Sequence, residues 1–269
     1  MRTASFNCST LTVLSCLLLV CLFGAPLGSA QPRTNAVADS LLLRGKAALH
    51  HGTNQGATDS LRYARALFKQ AVGDPTHQAL AHYYAGLADY RIATQLPDDA
   101  EDRREQVLTD AIDHLKAATD QAPKMADAWA LLAGVYGQMM GLHPMRGMSL
   151  GPKADKALDK AQALAPQNPR VWIISGTQDY FAPGMFGGDK ERALKKFEKA
   201  ARLAEQESVT DLLMPDWGHA EAHAWIGIAY MNAERYDQAR TAFETALDIN
   251  PDYGWVKSVL LPKLNEQKS

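Results

Sequence analysis

The hydrophobic and small residues of this chain recur in a fixed order. From Ala220 it reads AEAHAWIGIAYMNAERYDQARTAFETALDINP, with small residues at Gly227, Ala239 and Ala246 and bulky ones at Ile226, Tyr230 and Phe243. The same skeleton recurs upstream: Trp129, Leu132, Ala133 and Tyr136 pattern a first helix, and Ala154, Leu158, Ala161 and Pro166 a second. His82, Ala85 and Gly86 precede Ala111, Leu115, Ala118 and Pro123, and Trp172, Ser175 and Gly176 precede Ala193, Phe197 and Ala200. Leu41 and Gly45 precede Ala64, Phe68 and Ala71, giving five units in all. Helix rather than strand follows from 43 alanines against 17 valines plus isoleucines, since Ala has the highest helix propensity and β-branched residues favour sheets.

On these positions the chain resembles the tetratricopeptide repeat family, in which a 34-residue pair of antiparallel helices packs small residues where the helices touch. The resemblance implies an all-α, right-handed superhelical solenoid of about five helix pairs. The segment 252–261 (DYGWVKSVLL) is apolar enough to be a capping helix, which terminal repeats require, with filling of the concave groove as the alternative. Two positions depart from the family pattern. Asp89 and Asp179 stand where a large apolar residue is usual, each followed by a tyrosine. Either the first helix is rotated there by one residue, which the adjacent Tyr90 and Tyr180 favour, or a buried acid needs a partner.

The closing alanines, Ala71, Ala118, Ala161, Ala200 and Ala246, are 47, 43, 39 and 46 residues apart. The surplus over 34 falls inside units two, three and four, with a similar excess at 51–60 in unit one, and then between units four and five at 208–219. Four long loops are therefore expected on one edge, as a binding face or as the margin of an irregular stack. Acids from Asp98 to Asp102 look like a helix start that lengthens the second helix of unit two. The segment 138–148 is apolar enough to fold back on the body, Asp189 should cap the following helix, and Trp217 in the linker needs a pocket.

Residues 1–30 read as an export signal, with Arg2, an apolar run from Leu11 to Phe23, and Gly28-Ser29-Ala30 before the expected cleavage. An uncleaved anchor and lipid attachment at a cysteine are the alternatives. The expected mature domain, 31–269, is periplasmic or secreted and not membrane-spanning. It lacks thiols, because Cys8, Cys16 and Cys21 all lie in the leader. That excludes disulfides, thiolate metal sites and cysteine nucleophiles. The near-neutral charge, -2 overall, and a basic run at 190–199 interrupted by Glu191 and Glu198 argue against nucleic acid.

No catalytic constellation or cofactor motif stands out, and no enzyme activity is expected. Met139, Met140, His143, Met145 and Met148 could supply soft ligands to copper, but methionine also fills irregular gaps, and packing is favoured. His219 and His223 have zinc-compatible spacing, with structure the favoured reading. The family resemblance places the concave groove on Tyr83, Leu87, Tyr90, Arg170, Ile173, Thr177, Tyr180, Ile228 and Met231, an apolar and aromatic surface suited to a protein or peptide segment. The expected function is a non-catalytic interaction scaffold or assembly factor. The alternatives are an accessory ligand-binding protein, similar to the helical-repeat component of some periplasmic transporters, and copper handling.

Overall fold

The computed structural model describes residues 31–268, with side chains from 36 to 267; the expected export signal lies outside the described residues. Five antiparallel helix pairs follow in chain order: α1 (Gln31–Gln55) with α2 (Thr58–Ala71), α3 (Gln78–Gln95) with α4 (Glu101–Gln121), and α5 (Ala126–Leu142) with α6 (Gly147–Leu164). The last two are α7 (Pro169–Phe181) with α8 (Lys190–Gln206) and α9 (His219–Asn232) with α10 (Tyr236–Ile249). A π-helical turn at Val256–Leu260 then leads into α11 (Leu261–Lys268). Among the described residues there is no strand, so the all-α solenoid expected from the repeat is the observed fold.

The second helix of each pair carries one apolar stripe. On α2 the buried set Leu61, Ala64, Phe68 and Ala71 follows helical spacing. The first helices α3, α5, α7 and α9 are buried on several faces, whereas α1 buries one stripe; α3 buries Ala81, Tyr83, Tyr84, Ala85, Leu87, Ala88 and Tyr90. In four of the five pairs a glycine of the first helix faces a large side chain of the second. A Cβ at Gly45, Gly176 or Gly227 would overlap the ring of Phe68, Phe197 or Phe243, and Gly86 stands in the same relation to Leu115. These contacts explain why small and bulky residues recur together.

The surplus residues mostly continue as helix instead of forming loops. Only 56–57 separate α1 from α2, and only 96–100 separate α3 from the 21-residue α4. Acids in the first turn favour this: Asp59 opens α2, and Glu101 and Asp102 open α4. Between α5 and α6 the chain makes a 3₁₀ turn at Pro144–Arg146, so the expected row of four long loops reduces to one within a pair, 182–189. That loop ends at Asp189, whose carboxylate accepts from the Arg192 amide and caps α8. The segment 138–148 folds back only in part. Met139 is buried, but Met145 and Met148 are each 90% exposed.

Asp89 and Asp179 correct the expected rotation of their helices. Asp89 is fully buried, and its Oδ1 accepts from Arg65 Nη1 of α2 at 2.7 Å. Asp179 pairs with Arg192 at 2.7 Å and Lys196 at 2.6 Å from α8. Each acid meets a cation from a neighbouring helix, the second of the two expected arrangements, and Tyr90 is buried beside Asp89.

The stack closes on itself. Arg91 of α3 makes a two-pronged pair with Glu221 of α9, at 3.1 and 2.5 Å. Asn250, after α10, donates to Asn54 Oδ1 of α1 at 3.0 Å, and Gly254 abuts the Asn54 carbonyl so closely that a side chain would not fit. Tyr253, Val256, Leu260 and Leu264 form one apolar cluster with Ile228, Met231 and Phe243. The C-terminal segment thus caps pair five, as expected, while its leading turn meets pair one.

Candidate functional site

The linker between α8 and α9, 207–218, crosses the concave face of the solenoid as a strap. Its turn is set locally: Asp211 Oδ1 accepts from the Leu213 amide at 2.9 Å, and the Asp211 carbonyl from the Met214 amide at 3.0 Å. It ends at Gly218, whose φ of 118° lies in the left-handed region and whose missing side chain leaves room for Ile173. Only glycine meets both demands.

Side chains from three helices hold this strap. Lys46 of α1 donates to the carbonyls of Leu212 and Met214 at 2.7 and 2.6 Å and pairs with Asp216 at 3.2 Å. Tyr84 of α3 donates to the Leu213 carbonyl at 2.6 Å. Trp217 Nε1 donates to Tyr83 Oη at 2.8 Å, while the Arg91 guanidinium lies 5.0 Å from the indole centre, within cation–π range. Burial pushes the phenols of Tyr83 and Tyr84 above the ordinary tyrosine value. Both therefore keep their protons and serve as neutral hydrogen-bonding groups.

Arg170 of α7 ties the two ends of the strap. It donates to both carboxylate oxygens of Glu207, at 2.8 and 2.6 Å, and to the Trp217 carbonyl at 3.2 Å. Its Nε donates to Asp127 of α5 at 2.5 Å, and Asn168 donates to the same carboxylate at 2.9 Å. Burial works against this cation, yet hydrogen bonding to Glu207 and the charge of Asp127 hold its pKa above the ordinary arginine value. Beside the strap lies an open cleft of about 280 Å³, lined among others by Asp127, Arg170, Glu207, Ser208 and Asp211.

Seven of the nine groove residues expected from sequence are buried: Tyr83, Leu87, Tyr90, Arg170, Ile173, Ile228 and Met231. The chain's own strap packs against Tyr83, Arg170 and Ile173, and its terminal segment against Ile228 and Met231. Thr177 is half-buried and donates to the Ile174 carbonyl at 2.9 Å. Tyr180 is half-buried against Phe181, Phe197 and Trp225. Sequence reasoning missed Lys46, Tyr84 and Arg91, which act across more than 120 positions. Trp217 carried the available signal, an aromatic in need of a pocket.

The side chains weighed as metal ligands do not converge. Met139 is buried and Met145 and Met148 point outward, while His143 is engaged by Glu105 at 2.8 Å and Glu101 at 3.7 Å. The rings of His219 and His223 are 5.8 Å apart. Among the described residues no group of three or more His, Cys, Asp and Glu side chains is arranged to hold a metal ion.

Residues 220–253, spanning α9, α10 and the turn after them, match the family model for the tetratricopeptide repeat. No curated protein matches the chain. Among solved structures, the HusA haemophore from Porphyromonas gingivalis is similar, at 21% identity and a TM-score of 0.58 over 71% of this chain and 92% of that one. A thermophilic TPR protein of Thermus thermophilus, TTC0263, is similar at 18% identity and a TM-score of 0.54, over 81% and 99% of the two chains. At these identities the likeness is one of fold. The last helix pair is thus a tetratricopeptide repeat by sequence, and the chain has the fold of solenoids built from such repeats.

Proposed function

We propose that the protein is a non-catalytic protein-interaction scaffold of an exported compartment, whose concave face receives a segment of a partner in place of its own strap. The observation that carries this reading is the way the strap is held. Lys46 and Tyr84 grip consecutive backbone carbonyls at 212–214, and the Trp217 indole is seated against Tyr83 and Arg91. Backbone contacts supply affinity for any segment that can make the same turn, and the aromatic seat supplies selectivity. Export is supported by the charge, apolar run and small-residue exit of residues 1–30. A small apolar cargo, as for an accessory transporter protein, has less support, since the apolar groove side chains are covered and the cleft beside the strap is lined by charge.

A labelled peptide of sequence 208–218 tests the reading in trans. In the wild-type chain the strap competes at an effective concentration on the order of millimolar, so fluorescence anisotropy should show no binding. The Trp217→Ala protein, checked as helical by circular dichroism, should bind the peptide. Failure of that folded variant to bind would refute the groove as a segment-binding site.

A further inference from the structure

Among the described residues, three polar groups beneath the strap have their hydrogen-bond partners on the strap alone. The Lys46 side chain is 12% exposed, and its ammonium meets the carbonyls of Leu212 and Met214 and the carboxylate of Asp216. Tyr83 and Tyr84 are buried; Tyr84 donates to the Leu213 carbonyl, and Tyr83 accepts from the Trp217 indole. Any occupant that shields these groups from water without pairing them leaves them unsatisfied, which costs more than the hydrogen bonds themselves contribute. The occupant is thereby specified: carbonyls on a turn, a negative charge, and an N–H on a flat apolar body.

The two cations contribute differently. Hydrogen bonds to both oxygens of Glu221 engage the edge of the Arg91 guanidinium, so that charge is already met within the helices. What Arg91 offers the strap is its flat face, 5.0 Å from the indole centre, and among ring side chains indole is the best partner for a cation. For Lys46, Asp216 is the one paired carboxylate among the described residues, and that acid belongs to the strap. Asp211 accepts from the Leu213 amide and so shapes the turn itself. On the segment-binding reading above, on which this step depends, we infer that the partner segment carries an acidic residue followed directly by tryptophan at the end of a turn. Tyr83 and Arg91 select the indole, and Lys46 selects the acid and the turn carbonyls before it. Phenylalanine fills the same seat but brings no N–H to the buried Tyr83 hydroxyl. Asparagine in the acid's place keeps the shape and withholds the charge from Lys46.

Changes made in the ligand test this without disturbing the fold. The labelled 208–218 peptide, and versions with Trp217→Phe or Asp216→Asn, are titrated by fluorescence anisotropy into the Trp217→Ala protein, with the Trp217→Leu protein as a second receptor that keeps an apolar filler in the strap. The phenylalanine peptide should bind about tenfold more weakly than the parent, the effect of a buried hydroxyl left unpaired. The asparagine peptide should bind about threefold more weakly, the effect of an ion pair whose acid is largely exposed. In a receptor that also carries Lys46→Gln, the difference between the aspartate and asparagine peptides should vanish. A phenylalanine peptide that binds as well as the parent would overturn the tryptophan preference and leave segment binding at this face intact. An asparagine peptide equal to the parent, or a penalty that survives Lys46→Gln, would overturn the reading of the acid by Lys46. If neither folded receptor binds any of the peptides, the segment-binding reading itself fails, and the acid–tryptophan preference with it.

Discussion

Replacing Asp89 by asparagine tests the electrostatics of the core. The carboxyl is fully buried, with Oδ1 bonded to Arg65 at 2.7 Å and Oδ2 without a hydrogen-bond partner. Burial and Arg65 oppose each other, and burial prevails, pushing the carboxyl up from 3.8 to about 6. A folded-state pKa raised above the unfolded value means that the folded protein holds the proton more tightly. The stabilising contribution is then full below about pH 4 and lost as pH rises through 6. At about 1.36 kcal/mol per pH unit, the whole difference amounts to about 3 kcal/mol, of which about 2 falls between pH 4.5 and 7.5. The asparagine side chain cannot titrate, whereas every other group titrates alike in both proteins. Urea unfolding of the two at pH 4.5, 5.5, 6.5 and 7.5 should therefore show Asp89→Asn gaining on the wild type by about 2 kcal/mol as pH rises. A constant difference, or one that moves the other way, would refute the reasoning and show that the Arg65 pair outweighs burial.

The helix contacts and caps make further predictions. Gly227→Ala forces a methyl into the Phe243 ring and should cost about 1–3 kcal/mol in urea unfolding. Gly137→Ala, in α5 with open space around it, should gain about 0.5–1 kcal/mol. Asp189→Ala removes the cap of α8 and should cost about 1 kcal/mol, with increased amide exchange confined to the first turn of α8.

The architecture is legible in the sequence because its packing is local and repeated. Gly227 and Phe243 are 16 residues apart, and the pair recurs as Gly45 with Phe68 and Gly176 with Phe197, so contact and sequence pattern coincide. The loops are not legible in the same way, because a 34-residue template assigns every surplus residue to a turn, whereas chain rich in Ala and acids at its helix starts continues as helix. The setting of Asp89 escapes the pattern because its partner, Arg65, lies on the preceding pair, where no motif position links them. The composition of the concave face can be read from Tyr83, Leu87 and Tyr90. Its occupancy cannot, since it depends on Lys46 and Arg170 meeting a linker 166 and 47 residues away.

The most direct test of the central claim, that the concave face is filled by the chain's own strap, is a zero-length carbodiimide cross-link. Lys46 Nζ and Asp216 Oδ2 are 3.2 Å apart and should form an amide that joins two distant peptides, detected by mass spectrometry in the monomer. Lys196 and Asp179, 2.6 Å apart within pair four, report on the reagent. The docked strap predicts both links. The second link without the first would contradict it and leave the groove open.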